Sequence, residues 1–323
     1  MARETHWSNT KEVISTNRPL KLTLFLIKIL PACLAHLIIF SASLFFFFKL
    51  KKQRKHYENF RKQLGIYTKG KAPKIVNTYP NILSFGFSIV EKMEGWLEKT
   101  KYRDIIKHDD ALPELISLLE SGKGAFIIGS HLGNLDLLRS LSNFCETGVS
   151  RKISVTTVMS MKVTKILNEM LKEINKDFDM NVINSDAVGP DAIFMLQNEV
   201  ENGGLVVITG DRTSAHSERC IEHDFLGKTA EFPYGPFLIA SLLKVPVFFV
   251  FALRTNSAAL FPKYNIFVEK AETDFNCPRS ETKKRIGILC GEYAATLEKY
   301  AIKYPTQWYN FFDFWQKNGE DNE

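Results

Sequence analysis

The sequence predicts an α/β domain with a largely parallel mixed sheet flanked by helices, preceded by an N-terminal hydrophobic membrane helix. Three observations carry this prediction. Short apolar, β-branched runs alternate with segments of helical periodicity, the pattern of a parallel sheet with crossover helices. An unbroken apolar stretch, ILPACLAHLIIFSASLFFFF, lies near the start. Hydrophobic residues make up 45% of the 323 residues, enough to build an ordinary core and to exclude wholesale disorder.

The apolar run from Ile29 to Phe48 just reaches the ~20 residues that a spanning helix requires. Basic residues follow it: Lys49, Lys51, Lys52, Arg54, Lys55, Arg61 and Lys62. Their placement puts the remainder of the chain on the cytoplasmic side of the membrane. The division expected is residues 1–62 as membrane anchor and basic juxtamembrane segment, and 63–323 as the α/β domain.

Within that domain the strands expected are Gly124–Ser130, Lys152–Met159, Asn181–Asn184, Leu205–Thr209, Val245–Leu253 and Ile266–Glu269. The helices expected are Leu135–Phe144, Val163–Lys176, Asp191–Glu201, Tyr234–Lys244 and Glu281–Tyr304. Residues 49–75 read as a linker or a first helix on the membrane surface.

Net charge is +6, which suits an anionic partner such as phospholipid headgroups or an acidic carrier protein. The basic residues cluster beside the apolar run rather than among stacking aromatics, which disfavours nucleic acid. The five cysteines form no Cys-x-x-Cys pair, which argues against a disulfide scaffold or a structural zinc site. His216 and His223 lie in a polar stretch without metal-ligand spacing, and no metal is expected.

In parallel sheets, chemistry gathers where strands end and helices begin. The strand ending at Ser130 runs directly into His131-Leu132-Gly133-Asn134-Leu135-Asp136. A histidine at a strand end, a glycine turn and an aspartate in the next helical turn suit a base oriented by a carboxylate. With no nucleophilic serine of its own, the pair would deprotonate a substrate hydroxyl. The spacing Gly129-Ser130-His131-Leu132-Gly133 does not fit the Gly-x-Ser-x-Gly elbow of serine hydrolases.

HLGNLD resembles the His-x4-Asp motif of the glycerolipid acyltransferase superfamily. Other blocks are similar to its bacterial branch of late lipid A acyltransferases (lauroyl and myristoyl transferases). These are Gly210-Asp211-Arg212 after a strand, the stretch from Phe225 to Pro236, Val245-Pro246-Val247, and the aromatic stretch from Gln307 to Trp315. Together they extend over roughly residues 120 to 315. Lipid A enzymes usually carry glutamate where this chain has Asp136. The Gly-Asp-Arg block and the Trp7-containing leader look like a side branch linked to other glycolipids or aryl polyene lipids. The resemblance thus supports acyl transfer more strongly than lipid A as acceptor.

That resemblance implies transfer of a fatty acyl group from an acyl carrier protein or coenzyme A thioester to a hydroxyl of a lipid or glycolipid, with no cofactor. His131 would be the base and Asp136 its orienting carboxylate. The backbone amides near Gly133 and Asn134 would receive the oxyanion. Arg212 would hold a phosphate or the donor's phosphopantetheine arm, with Arg254 a second anion ligand and Asp211 structural or orienting. The alternatives are a catalytically inactive, membrane-anchored lipid-binding protein of the same fold and a lipid hydrolase.

Overall fold

The computed structural model describes residues 29–30, 32–96, 104–108, 111–135, 137, 148–159, 180–185, 188–213, 219–259 and 262–316. Among the described residues the helices α1 (Ala32–Lys49), α2 (Lys51–Tyr67) and α3 (Tyr79–Trp96) precede the sheet. Then follow β1 (Ile105–Lys107), α4 (Leu112–Glu120), β2 (Ala125–Gly129), β3 (Val155–Met159), β4 (Met180–Asn184), α5 (Pro190–Glu201) and β5 (Leu205–Thr209). A hairpin of β6 (Cys220–Phe225) and β7 (Lys228–Pro233) precedes α6 (Tyr234–Leu243), β8 (Val247–Arg254), β9 (Tyr264–Lys270) and α7 (Arg279–Lys303).

Seven strands form one sheet in the order β1-β9-β8-β2-β5-β3-β4. All neighbours pair parallel except β8 and β9, which are antiparallel. The sheet is therefore the mostly parallel mixed sheet that the alternating pattern predicts. Every residue of β8 is buried, as befits a strand covered on both faces. Its side chains alternate: Phe249, Phe251 and Leu253 enter the core under α5, α6 and α7. Phe248, Val250 and Ala252 enter a second core beside α4. Helix α7 buries Ile286, Leu289, Cys290, Tyr293, Ala294, Leu297, Tyr300 and Ala301, a stripe at helical spacing that faces the sheet.

The expected strands form within a few residues of their predicted ends. Helix 135–144 falls almost wholly, and helix 163–176 entirely, outside the described residues. The segment 49–75 is no linker, because most of it is α2, which places Tyr57, Phe60 and Leu64 in the main core. This helix runs through the domain boundary expected at residue 62. Of the two histidines in the polar stretch, His223 is among the described residues. It lies on β6, and its Nε2–H donates to Gly287 O at 2.9 Å. The hairpin turns at Leu226-Gly227, both with positive φ, the geometry of a two-residue turn that matches strand twist.

The membrane-spanning N-terminal helix is corrected by the structure. No helix among the described residues is long and apolar enough to cross a membrane. The chain bends at Leu30, so the apolar run is not one continuous helix. Helix α1 has 18 residues and ends on a lysine. At ~1.5 Å per residue it reaches about 27 Å, short of a ~30 Å hydrocarbon core. One side of it packs on α3: Phe40 stands edge-on to Phe87 at 5.4 Å, and Phe47 to Tyr79 at 5.7 Å. Tyr79 Oη donates to Phe40 O at 3.2 Å.

Trp308, in the segment after α7, is fully buried and stacks between Phe60 of α2 and Phe225 of the hairpin at 5.1 and 5.3 Å. It joins three elements that are remote in sequence. Trp308→Ala should therefore lower stability by roughly 3–5 kcal/mol, read as a lower midpoint in urea unfolding.

Candidate active site

Strand register builds the site. In the β2–β5 pair, Gly129 lies opposite Thr209, and Gly210 N–H donates to Gly129 O at 3.0 Å. Two residues beyond each partner come His131 and Asp211, so the sheet delivers them side by side. The Asp211 carboxylate receives His131 Nδ1–H on Oδ1 at 2.8 Å and the His131 backbone N–H on Oδ2 at 2.8 Å. An ionised carboxylate only accepts, so Nδ1 carries the ring proton and Nε2 presents a lone pair. The Asp211 side chain has no exposed surface, whereas that of His131 is 31% exposed. The imidazole is reachable and its partner is sealed.

Asn310 completes the carboxylate shell, its Nδ2–H donating to Asp211 Oδ2 at 3.1 Å. Its Oδ1 accepts Arg212 Nε–H at 2.9 Å, and Arg212 Nη2–H donates to Tyr309 O at 2.9 Å. The same C-terminal segment is tied to the turn from His131 to Gly133 by Tyr309 N–H to His131 O at 3.1 Å and Gly133 N–H to Gln307 O at 3.0 Å. Helix α3 supports it from outside. Ser84 Oγ and Tyr309 Oη share a hydrogen bond of 2.7 Å, and Asn134 Nδ2–H donates to Ser88 O at 3.3 Å.

Gly133 has φ +79°, and a Cβ there would meet Ala252 O at 2.3 Å. Only glycine combines that conformation with that approach. Both amides proposed for the oxyanion are already bonded: Gly133 N–H to Gln307 O, and Asn134 N–H to Ala252 O at 2.9 Å. In this arrangement the backbone amides of Gly133 and Asn134 hold the turn and are already spent on carbonyl partners. Asp136 lies outside the described residues, and the Nδ1–H it was expected to bind is held by Asp211.

Arg254 is buried and forms an ion pair with the buried Glu91 of α3. Its guanidinium lies over the Phe87 ring at 4.5 Å and also donates to Asn256 O and Ala259 O. Removing either partner would strand a buried charge, so this arginine braces α3 and does not face His131 as an anion ligand. Among the described residues no group of histidine, cysteine and carboxylate side chains could hold a metal ion. Sequence reasoning missed Asn310, whose one signal was an amide inside an aromatic-rich run.

Burial is the largest influence on His131 and lowers its pKa from the ordinary 6.5, and the Arg212 charge lowers it further. Asp211 opposes both, and Lys92 adds to the lowering. Burial alone would raise the Asp211 carboxyl. The charge and hydrogen bonds of His131, together with Arg212, outweigh it and hold Asp211 below its ordinary 3.8. Burial lowers Arg212 to about 10, against the pull of Asp211, which leaves it a cation at neutral pH. The resting pair is thus a neutral imidazole on a carboxylate, poised to take a proton.

No protein-family model matches the chain, and neither does any curated protein.

The sign of the His131 shift sets a pH dependence. Its folded pKa lies below the unfolded value, so its contribution to stability is full above pH 6.5 and is lost as pH falls through the folded pKa. Removing the Arg212 charge should move the titration back up. Histidine NMR should place the His131 midpoint below 6.5 in the wild type and higher in Arg212→Gln. Identical midpoints in the two proteins would contradict the electrostatic account.

Proposed function

We propose that the protein is an O-acyltransferase that moves a fatty acyl group from a thioester to a hydroxyl of a lipid or glycolipid acceptor. The observation that carries this reading is a half-exposed imidazole whose Nδ1–H is fixed on the buried Asp211 carboxylate. The free Nε2 lone pair removes the acceptor's hydroxyl proton as its oxygen attacks the thioester carbonyl. The tetrahedral adduct collapses, the C–S bond breaks, and the imidazolium returns its proton to the leaving sulfur. Asp211 remains ionised throughout and stabilises the imidazolium.

A serine nucleophile is disfavoured, because Ser130 Oγ is buried and accepts Leu132 N–H at 3.1 Å. The motif resemblance supplies the donor class, an acyl carrier protein or coenzyme A thioester, and no cofactor is needed for this chemistry. Arg212, a cation next to the base, is in position to attract the anionic phosphates of either donor.

The reading includes contact with anionic lipid on the cytoplasmic side of a bacterial inner membrane. Leu34, Leu37, Ile38, Leu44, Phe45 and Phe48 of α1 are exposed, and exposed Lys49, Lys51, Lys52 and Lys55 adjoin them. Apolar contact and attraction of ~1 kcal/mol per basic residue would act together.

The test is transfer from a labelled acyl carrier protein thioester into a membrane lipid extract, with products identified by mass spectrometry. The wild type should give an acylated lipid, and His131→Ala should be slower on the order of 10²–10⁴-fold while remaining folded. Release of free fatty acid alone would favour the hydrolase, and lipid binding without turnover would favour the inactive lipid-binding protein. Flotation with vesicles checks the lipid contact: anionic vesicles should carry the protein, and high salt should weaken but not abolish this.

A further inference from the structure

We propose that Asn310 is a positioning residue whose side-chain amide keeps the Asp211 carboxylate on His131 by standing between that carboxylate and the Arg212 guanidinium. The inference rests on reading His131 as the base. Asp211 and Arg212 are adjacent in sequence and opposite in charge, so a direct ion pair is the competing arrangement. Such a pair would draw the carboxylate off the imidazole, and the ring would lose its preferred tautomer.

Asn310 meets the two groups with opposite ends. Its NH2 donates to Asp211 Oδ2 at 3.1 Å, and its carbonyl accepts from Arg212 Nε at 2.9 Å. A side-chain amide presents a donor to a carboxylate and an acceptor to a guanidinium from one small planar group. Aspartate has the same shape but would turn an acceptor toward Asp211. Alanine would leave both charged neighbours short of one partner. The residue is 1% exposed and sits in a segment of otherwise aromatic character, where an amide needs such partners to be tolerated.

The backbone on either side fixes where the amide lies. Tyr309 N–H is bonded to His131 O, Gly133 N–H to Gln307 O, and Arg212 Nη2–H to Tyr309 O. Leu132 and Trp308 pair across a single antiparallel bridge. The C-terminal segment therefore carries Asn310 into the site on the same frame that holds the base.

The experiment is 15N NMR of histidine-labelled full-length protein, with the His131 signals assigned by their loss in His131→Ala. The wild type should show the Nδ1–H tautomer. Asn310→Ala and the isosteric Asn310→Asp should each raise the Nε2–H population several-fold. Gln307→Ala, which removes side-chain bonds to Arg254 in the same segment, should leave the tautomer as in wild type. In the thioester assay, kcat/KM should fall about 10²-fold in Asn310→Ala, the scale of a misplaced catalytic group. An unchanged tautomer in folded Asn310→Ala overturns the proposal. So does an equal effect of Gln307→Ala, or failure of both Asn310 variants to fold, because each assigns the residue to packing alone. The tautomer is read without turnover, so absence of acyl transfer would defeat the functional reading and leave the NMR to judge Asn310.

Discussion

A carboxylate with no exposed surface stays ionised only where donors replace the water it has lost. Asp211 has three: two from His131 and one from Asn310. Each donor fixes a different part of the molecule. The His131 backbone N–H ties the end of β2 to the end of β5. The ring N–H sets the tautomer of the base. The Asn310 amide draws in the C-terminal segment and, through it, Arg212. This one anion is where the turn, the imidazole and the segment after α7 meet.

The surrounding packing follows from the same requirement. The segment from Pro305 to Trp315 must pass the turn from His131 to Gly133 closely enough for backbone bonds. Gly133 permits that approach, with Ala252 O where any Cβ would stand. Trp308, held between Phe60 and Phe225, sets the depth of the segment. Helix α3 covers it, with Asn81 Nδ2–H donating to Trp308 O at 2.7 Å and with the ion pair of Glu91 and Arg254 beneath. The polar face of α3 thus serves the site while its apolar face receives α1.

Much of the sheet was legible in the sequence, because buried parallel strands are short apolar runs bounded by glycine or polar residues. LVVIT and VPVFFVFAL carry that signature plainly. His131 and Asp211 were both legible as residues at strand ends, but their partnership was not. It depends on β2 and β5 being neighbours in register, and strand order cannot be read from local pattern. The His-x4-Asp spacing drew attention to Asp136 as the partner instead. Arg254 was legible as a strand-end cation, yet its role is set by Glu91, a residue in a helix that periodicity did not reveal. Helix α3 went unseen because Ser84, Gly86 and Ser88 interrupt its apolar stripe, and these small residues are where α1 and the C-terminal segment approach. The long apolar run misled for a related reason: hydropathy records its apolar character, whereas helix ends and packing on α3 are tertiary facts.

The central claim is that Asp211 and His131 act as one catalytic unit. The most direct measurement is the single-turnover rate of acyl transfer in Asp211→Asn set beside Asp136→Asn, with both proteins verified as folded. The amide cannot hold the Nδ1–H tautomer, so Asp211→Asn should be slower on the order of 10²–10⁴-fold and should be the more damaged of the two. A wild-type rate in Asp211→Asn, with activity lost in Asp136→Asn, would contradict the account and return the orienting role to the His-x4-Asp carboxylate.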